Sequence, residues 1–123
     1  MANYVVFIDL GHAKIFELHP DKVEETSMRR HEIKHHSGSQ KEADNHKNAE
    51  KFFAEVTGKL ANANEILLIG PGQAKTHFKD HIDKHAHDVG KKVVGVETVD
   101  HPTDGQIVAL AKKFFKAHQR FEA

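Results

Sequence analysis

Residues 4–18 read Tyr-Val-Val-Phe-Ile-Asp-Leu-Gly-His-Ala-Lys-Ile-Phe-Glu-Leu, and this stretch decides the fold. From Asn3 to Leu10 the chain is apolar on both alternating faces, with Tyr4, Val6 and Ile8 on one side and Val5 and Phe7 on the other. That pattern belongs to a strand covered on both sides. Gly11 marks a tight turn, and His12 to His19 repeats the strand signal before Pro20-Asp21 turns the chain again. Val23 to Ile33 alternates more weakly, with Val23, Met28 and Ile33 set among charges, as suits an edge strand. The three segments predict an antiparallel meander.

The period then changes. Ala49, Phe52, Phe53, Val56 and Leu60 fall on one face of a helix. Glu65 to Gly70, EILLIG, is a short continuous apolar run and predicts a buried strand. Ala74, Phe78, Ile82 and Ala86 recur every four residues, predicting a second helix ended by Gly90. KKVVGVETV predicts a fifth strand. Ile107, Leu110, Ala111, Phe114 and Phe121 predict a closing helix with Thr103 or Asp104 as its N-cap. The order is β-β-β-α-β-α-β-α, and right-handed crossovers should set the last two strands parallel to the first. The expected fold class is α/β: one domain over residues 1–123, of ribonuclease H-like plan, with a mixed five-stranded sheet and three helices.

A chain of 123 residues can bury a sizeable core without staples. It has no cysteine, which excludes disulfides, iron–sulfur clusters and zinc-thiolate sites. The stretch MANYVVFIDLGHAK lacks the basic start of a signal peptide, and no segment approaches the ~18 apolar residues of a membrane span. A cytoplasmic protein with no membrane partner is expected. Lysine plus arginine and aspartate plus glutamate stand at 18 each, so composition alone does not drive the chain onto nucleic acid. Twelve histidines add positive charge as pH falls through the mid-sixes, so any RNA affinity should depend on pH as well as salt.

Several constellations have a chemical and a plain reading. Asp9 on the first strand and Glu50 on the first helix are placed like two carboxylates of a two-metal nuclease, but EILLIGPG offers no acid at the end of the fourth strand. Asp9-Leu10-Gly11 resembles the first phosphate loop of the actin and sugar-kinase superfamily, whose second loop and second half have no counterpart, so a turn is the better reading. His77, His81 and His85 lie at metal-binding spacing on one helix, yet Lys75, Lys79 and Lys84 are expected on the same surface and no carboxylate or cysteine motif organises them. A solvated face is expected, and neither a metal nor a cofactor. Gly70-Pro71-Gly72 ends a strand and precedes a helix, so Gly70, Gly72 and Lys75, with the free amides at Gln73 to Lys75, form a candidate anion-binding loop. Asp100 to Gly105, DHPTDG, reads as strand end and helix cap.

Taken in order, YVVFIDLGHAKIFEL, a long loop ending in Gly-x-Gln, LLIGPGQAKTHF and VETVDHPTDGQIVALA resemble the middle domain of the archaeal and eukaryotic class-I peptide release factor family. That family includes the ribosome-rescue factor Pelota and several bacterial relatives. The resemblance covers nearly the whole chain. Its most specific block is Gly70, Pro71, Gly72, Lys75 and Phe78, and the acidic, glycine-containing loop after the last strand matches Asp100 to Gly105.

The resemblance gives KHHSGSQ, residues 34–40, a meaning. The family carries Gly-Gly-Gln there, behind basic residues that meet ribosomal RNA, and the glutamine backbone helps to place the water that attacks the peptidyl-tRNA ester. Gly38, Ser39 and Gln40 fall on that motif as candidate catalytic residues. Lys34, His35 and His36, followed by Lys41 and Lys47, fall on its RNA-facing surroundings. The chemistry needs a backbone free of side chains beside the ester, with donors aimed at the developing charge. Serine at 39 adds a Cβ, which costs about 1–2 kcal/mol wherever the backbone must be left-handed. From His31 to Asn48 three lysines face three acids, and the chain holds three arginines in all. The family's codon-reading and GTPase-recruiting domains have no counterpart in these residues, so a partner protein is expected to supply decoding-site recognition. Two functions follow. One is a ribosome-associated factor, non-enzymatic or marginally enzymatic, that meets tRNA or rRNA in rescue, stress or translation control. The other is a protein-interaction domain that keeps the scaffold without the ribosome.

Overall fold

A computed structural model describes residues 2–30 and 38–122, with side chains described over 2–30 and 48–119. Three strands, β1 (Asn3–Ile8), β2 (His12–Leu18) and β3 (Val23–Arg29), open the chain. Helix α1 (Gly38–Gly58), β4 (Ile66–Gly70), α2 (Ala74–His85), a single helical turn α3 (His87–Gly90), β5 (Val93–Thr98) and α4 (Asp104–Glu122) follow. The five strands form one sheet in the order β3-β2-β1-β4-β5. β1–β2 and β2–β3 are antiparallel, while β1–β4 and β4–β5 are parallel. The mixed sheet is therefore the one expected.

The two faces of β1 go to two cores. Tyr4, Val6 and Ile8 pack with Phe52, Val56, Phe78 and Ile82 from α1 and α2. Val5 and Phe7 pack with Phe16, Leu67, Ile69 and the α4 residues Ile107, Ala111 and Phe115. This two-sided burial explains why β1 and β4 read as unbroken apolar runs. Among the described residues of α4 it is Phe115, four residues after Ala111, that is fully packed, whereas Phe114 is only partly buried and lies over Gly95.

β3 ends at Arg29, short of the expected Ile33, and two helix boundaries differ from expectation as well. The second helix does not run to Gly90. Ala86 leaves the helical conformation (φ −144°, ψ 64°) although its N–H still reaches the Ile82 carbonyl. Val89 and Gly90 then donate back to Ala86, and this extra turn carries Val89 into the core. The first helix begins at Gly38, so Gly38, Ser39 and Gln40, expected to end a loop, open the helix instead. Lys41, Glu42, Ala43 and Lys47 are good helix formers, and no proline interrupts them.

Candidate functional site

The carboxyl ends of β1 and β4 and the start of α2 meet at one edge of the sheet. Just past β1 the Asp9 carboxylate holds the hairpin: its Oδ1 accepts from the Gly11 and His12 amides, each at 2.8 Å, and lies 3.1 Å from His12 Nδ1. Asp9 thus acts as a turn residue. The end of β3 is tied to the same tip, since the Arg30 amide donates to the Gly11 carbonyl at 2.9 Å and its guanidinium to Leu10 at 3.4 Å. Leu10, at the tip, is 73% exposed.

Gly70-Pro71-Gly72 makes a close approach. A Cβ at Gly70 would collide with the Ile8 carbonyl oxygen, and Gly72 is left-handed at φ 61°. Lys75 is buried, and its ammonium donates to the Gly72 carbonyl at 2.6 Å. It therefore does not stand among the histidines as the sequence suggested. The turn from Gly72 into the first residues of α2 brings carbonyl and ammonium together. Lys79 is likewise committed, reaching the Asp83 carboxylate at 2.6 Å one helical turn on.

Between α1 and α2 lies a cleft of about 410 Å³. Phe52 and Phe53 line its apolar side, His77, His81 and His85 its α2 wall, and Asp9 and Leu10 its hairpin end. Phe53 packs against Phe78 with ring centroids 5.5 Å apart and against His81 at 5.7 Å. The His81 and His85 rings are 4.6 Å apart. Asp9 and Glu50 both reach this cleft, but among the described residues no third carboxylate or imidazole joins them at metal-binding distance. Arg30 was not singled out from sequence, while Leu10 was read there only as part of a strand and turn and Phe53 only as part of an apolar helix face.

Burial, then the neighbouring His85, hold the His81 imidazole below its usual range, against the opposing pull of Glu50. A lowered folded-state value means that the unfolded chain takes up the proton first. Stability is therefore lost as pH falls through the unfolded value of about 6.5. His81→Gln is expected to flatten the fall in thermal midpoint between about pH 7 and pH 5. An unchanged slope in scans at stepped pH would show that His81 does not contribute to it.

Gly38, Ser39 and Gln40 form the first turn of α1, and Lys41 and Lys47 follow on the same helix. Gln40 lies ten residues before Glu50, about 15 Å along the helix from the cleft. The first-turn amides of a helix lack intrahelical partners and are satisfied by side chains, water or a ligand. Lys34, His35 and His36 lie outside the described residues. At the other end of the sheet's carboxyl edge, Thr103 and Gln106 cap α4 reciprocally, amide to side chain, at 2.9 and 3.2 Å. Asp104 is held below the usual carboxylate range by its hydrogen bond with Lys14. The DHPTDG loop has a structural task.

No family model matches the sequence, and no curated protein matches it significantly. Solved structures do match. Pelota from Archaeoglobus fulgidus is 23% identical with a TM-score of 0.65, over 91% of this chain and 31% of that one. An archaeal translation termination factor, aRF1, is 15% identical with a TM-score of 0.63, over 98% of this chain and 40% of that one. Dom34 from S. cerevisiae, a translation termination-like factor involved in RNA quality control and interacting with Hbs1, is 12% identical with a TM-score of 0.57, over 90% of this chain and 32% of that one. The likeness is one of fold, shared with a single domain of these factors, and the chain spans a third to two-fifths of their length. Among the described residues no helix is long and apolar enough to cross a membrane.

Proposed function

We propose that the chain is a ribosome-associated, translation-factor-like protein acting in rescue, stress or translation control. The observation that carries this reading is the fold, shared over 91% and 98% of the chain with Pelota and aRF1. In support, the Gly38-Ser39-Gln40 segment opens a helix, where backbone donors without intrahelical partners can meet an ester or a phosphate. In this proposal Lys34, His35, His36, Lys41 and Lys47 steer tRNA or rRNA to that turn. Gln40 places the water if the ester is attacked. Ser39 keeps hydrolysis marginal, because a serine carries a Cβ where a glycine would let the backbone approach. The chain works in the cytoplasm with a partner protein that selects the ribosome, much as Dom34 is one that interacts with Hbs1.

The test is sedimentation with ribosomes at low and high salt, using wild type, Lys34→Ala and Gln40→Ala. Wild type is expected to co-sediment at low salt and to be released at high salt, since phosphate contacts exchange with counterions. Lys34→Ala weakens that binding, whereas Gln40→Ala spares it and removes any residual peptidyl-tRNA release. A wild type that stays in the supernatant at low salt and pH 6.5, where histidines help most, would refute the ribosomal reading. The balance of 18 basic and 18 acidic residues would then favour the second function, a protein-interaction domain on the same scaffold.

A further inference from the structure

Far from the cleft, at the open edge of the meander, the register sets three polar side chains in a row. Tyr4 of β1 stands opposite Glu17 of β2, and Glu17 stands opposite Glu24 of β3. Partners directly opposite in antiparallel strands point to the same face, and His19, two residues after Glu17, joins them. Two carboxylates placed opposite one another repel, an arrangement that costs stability unless a cation repays it. Lys22, at the turn, reaches Glu24 at 3.0 Å, and both side chains are more than half exposed.

We infer that Glu17, His19 and Glu24 form a divalent-cation site of the Zn²⁺ or Mn²⁺ class, bridging β2 and β3. One ligand atom from each of the three lies within 4.8 Å of the others. Glu17 Oε2 and His19 Nε2 are 3.4 Å apart. Metal bonds of about 2.0–2.1 Å in a tetrahedron give ligand separations near that value. Two carboxylates and one imidazole suit Zn²⁺ or Mn²⁺, and water completes the shell. The second oxygen of Glu17 is already oriented, accepting from the buried Tyr4 hydroxyl at 2.7 Å. A held outer hydrogen bond of this kind fixes a ligating carboxylate. The turn is fixed as well, by the His19 amide donating to the Lys22 carbonyl at 2.9 Å. His77, His81 and His85 of α2 line the cleft together with Asp9 and Leu10, past the other end of β1, so this site is separate from the cleft and does not rest on the proposed function.

Tyr4 supplies the probe, because the chain has one tyrosine and no tryptophan. Zn²⁺ is titrated into the full chain at neutral pH while Tyr4 emission is followed, with calorimetry in parallel. A saturable change is expected. His19→Ala and Glu24→Gln should each weaken it about tenfold or more. Lys22→Ala removes the competing cation and should tighten it. Replacing His77, His81 and His85 together by alanine should leave the Tyr4 response in place while removing any weaker sites on α2. The inference is overturned if millimolar Zn²⁺ leaves Tyr4 emission unchanged and calorimetry counts the same sites in wild type and His19→Ala. It is equally overturned if the Tyr4 response survives both ligand substitutions, or if Lys22→Ala weakens it.

Discussion

Gly70→Ala is expected to destabilise the protein by at least about 3 kcal/mol, more than the same substitution at any other described glycine. The reason is backbone, not side chain. A methyl group at 70 meets the carbonyl oxygen and carbon of Ile8, which belong to β1, the central strand of the sheet. β1 and β4 are hydrogen-bonded through Tyr4↔Ile66 to Phe7↔Ile69, immediately before the collision point. Neither strand can retreat, since Ile8 and Ile69 are fully buried on opposite faces. Gly72→Ala makes the contrast. Its methyl meets nothing within 4 Å, so the cost is that of a left-handed backbone at φ 61°, about 1–2 kcal/mol. Gly95→Ala presses on the Phe114 ring, a side chain that is partly exposed and able to turn aside. Urea unfolding of the three variants should rank them with Gly70→Ala the least stable. Equal losses at 70 and 72 would mean that the close strand approach is relieved more cheaply than the geometry indicates.

How far the fold was legible follows from where each element spends its side chains. β1 and β4 announced themselves because both of their faces are buried and their apolar runs are too short for a helix, whereas β2, with only Ala13, Ile15 and Phe16 buried, was legible from the turns that bound it. The β3 edge was legible from its charges, and all but one of its residues are exposed. The break at Ala86 was not, because it depends on Val89 finding the core, a tertiary demand with no local marker. The choice of Phe115 over Phe114 was ambiguous for a similar reason. Adjacent phenylalanines both fit a helical stripe, and the sheet beneath decides between them. Lys75 illustrates a subtler loss. Its spacing from Lys79 puts it on a helix face in sequence, yet its stem is buried and its charge returns to Gly72. The cleft was least legible of all, since Leu10 and Asp9 are brought to His81 and Glu50 only by packing a hairpin tip against two helices. The metal-binding row needs cross-strand register, Tyr4↔Glu17 and Glu17↔Glu24, which no spacing along the chain reveals.

Phe78→Ala carries the second large effect, and it links the core to the cleft. Phe78 is fully buried on α2, in the cluster that joins Val6 and Ile8 to Val56 and Ile82. Truncating a buried phenylalanine removes its transfer energy and leaves a void, together about 3–5 kcal/mol. Against a total stability of about 5–15 kcal/mol for a domain of this kind, that is a large fraction. Phe78→Leu refills most of the space and should cost roughly half as much or less. The effect on the cleft runs through Phe53, which packs at a tilt against Phe78 at 5.5 Å and against His81 at 5.7 Å. With Phe78 gone, Phe53 can sink into the void and uncover His81. Burial is the largest cause holding the His81 imidazole low, so its value should rise toward the ordinary histidine range in Phe78→Ala and stay nearly unchanged in Phe78→Leu. Titration of the His81 ring by NMR, in conditions where both variants remain folded, separates the outcomes. A rise in Phe78→Ala alone would make Phe53 the hinge between core and cleft. The same His81 value in both variants would mean that α2 itself, not the aromatic wall, sets the environment of the histidines.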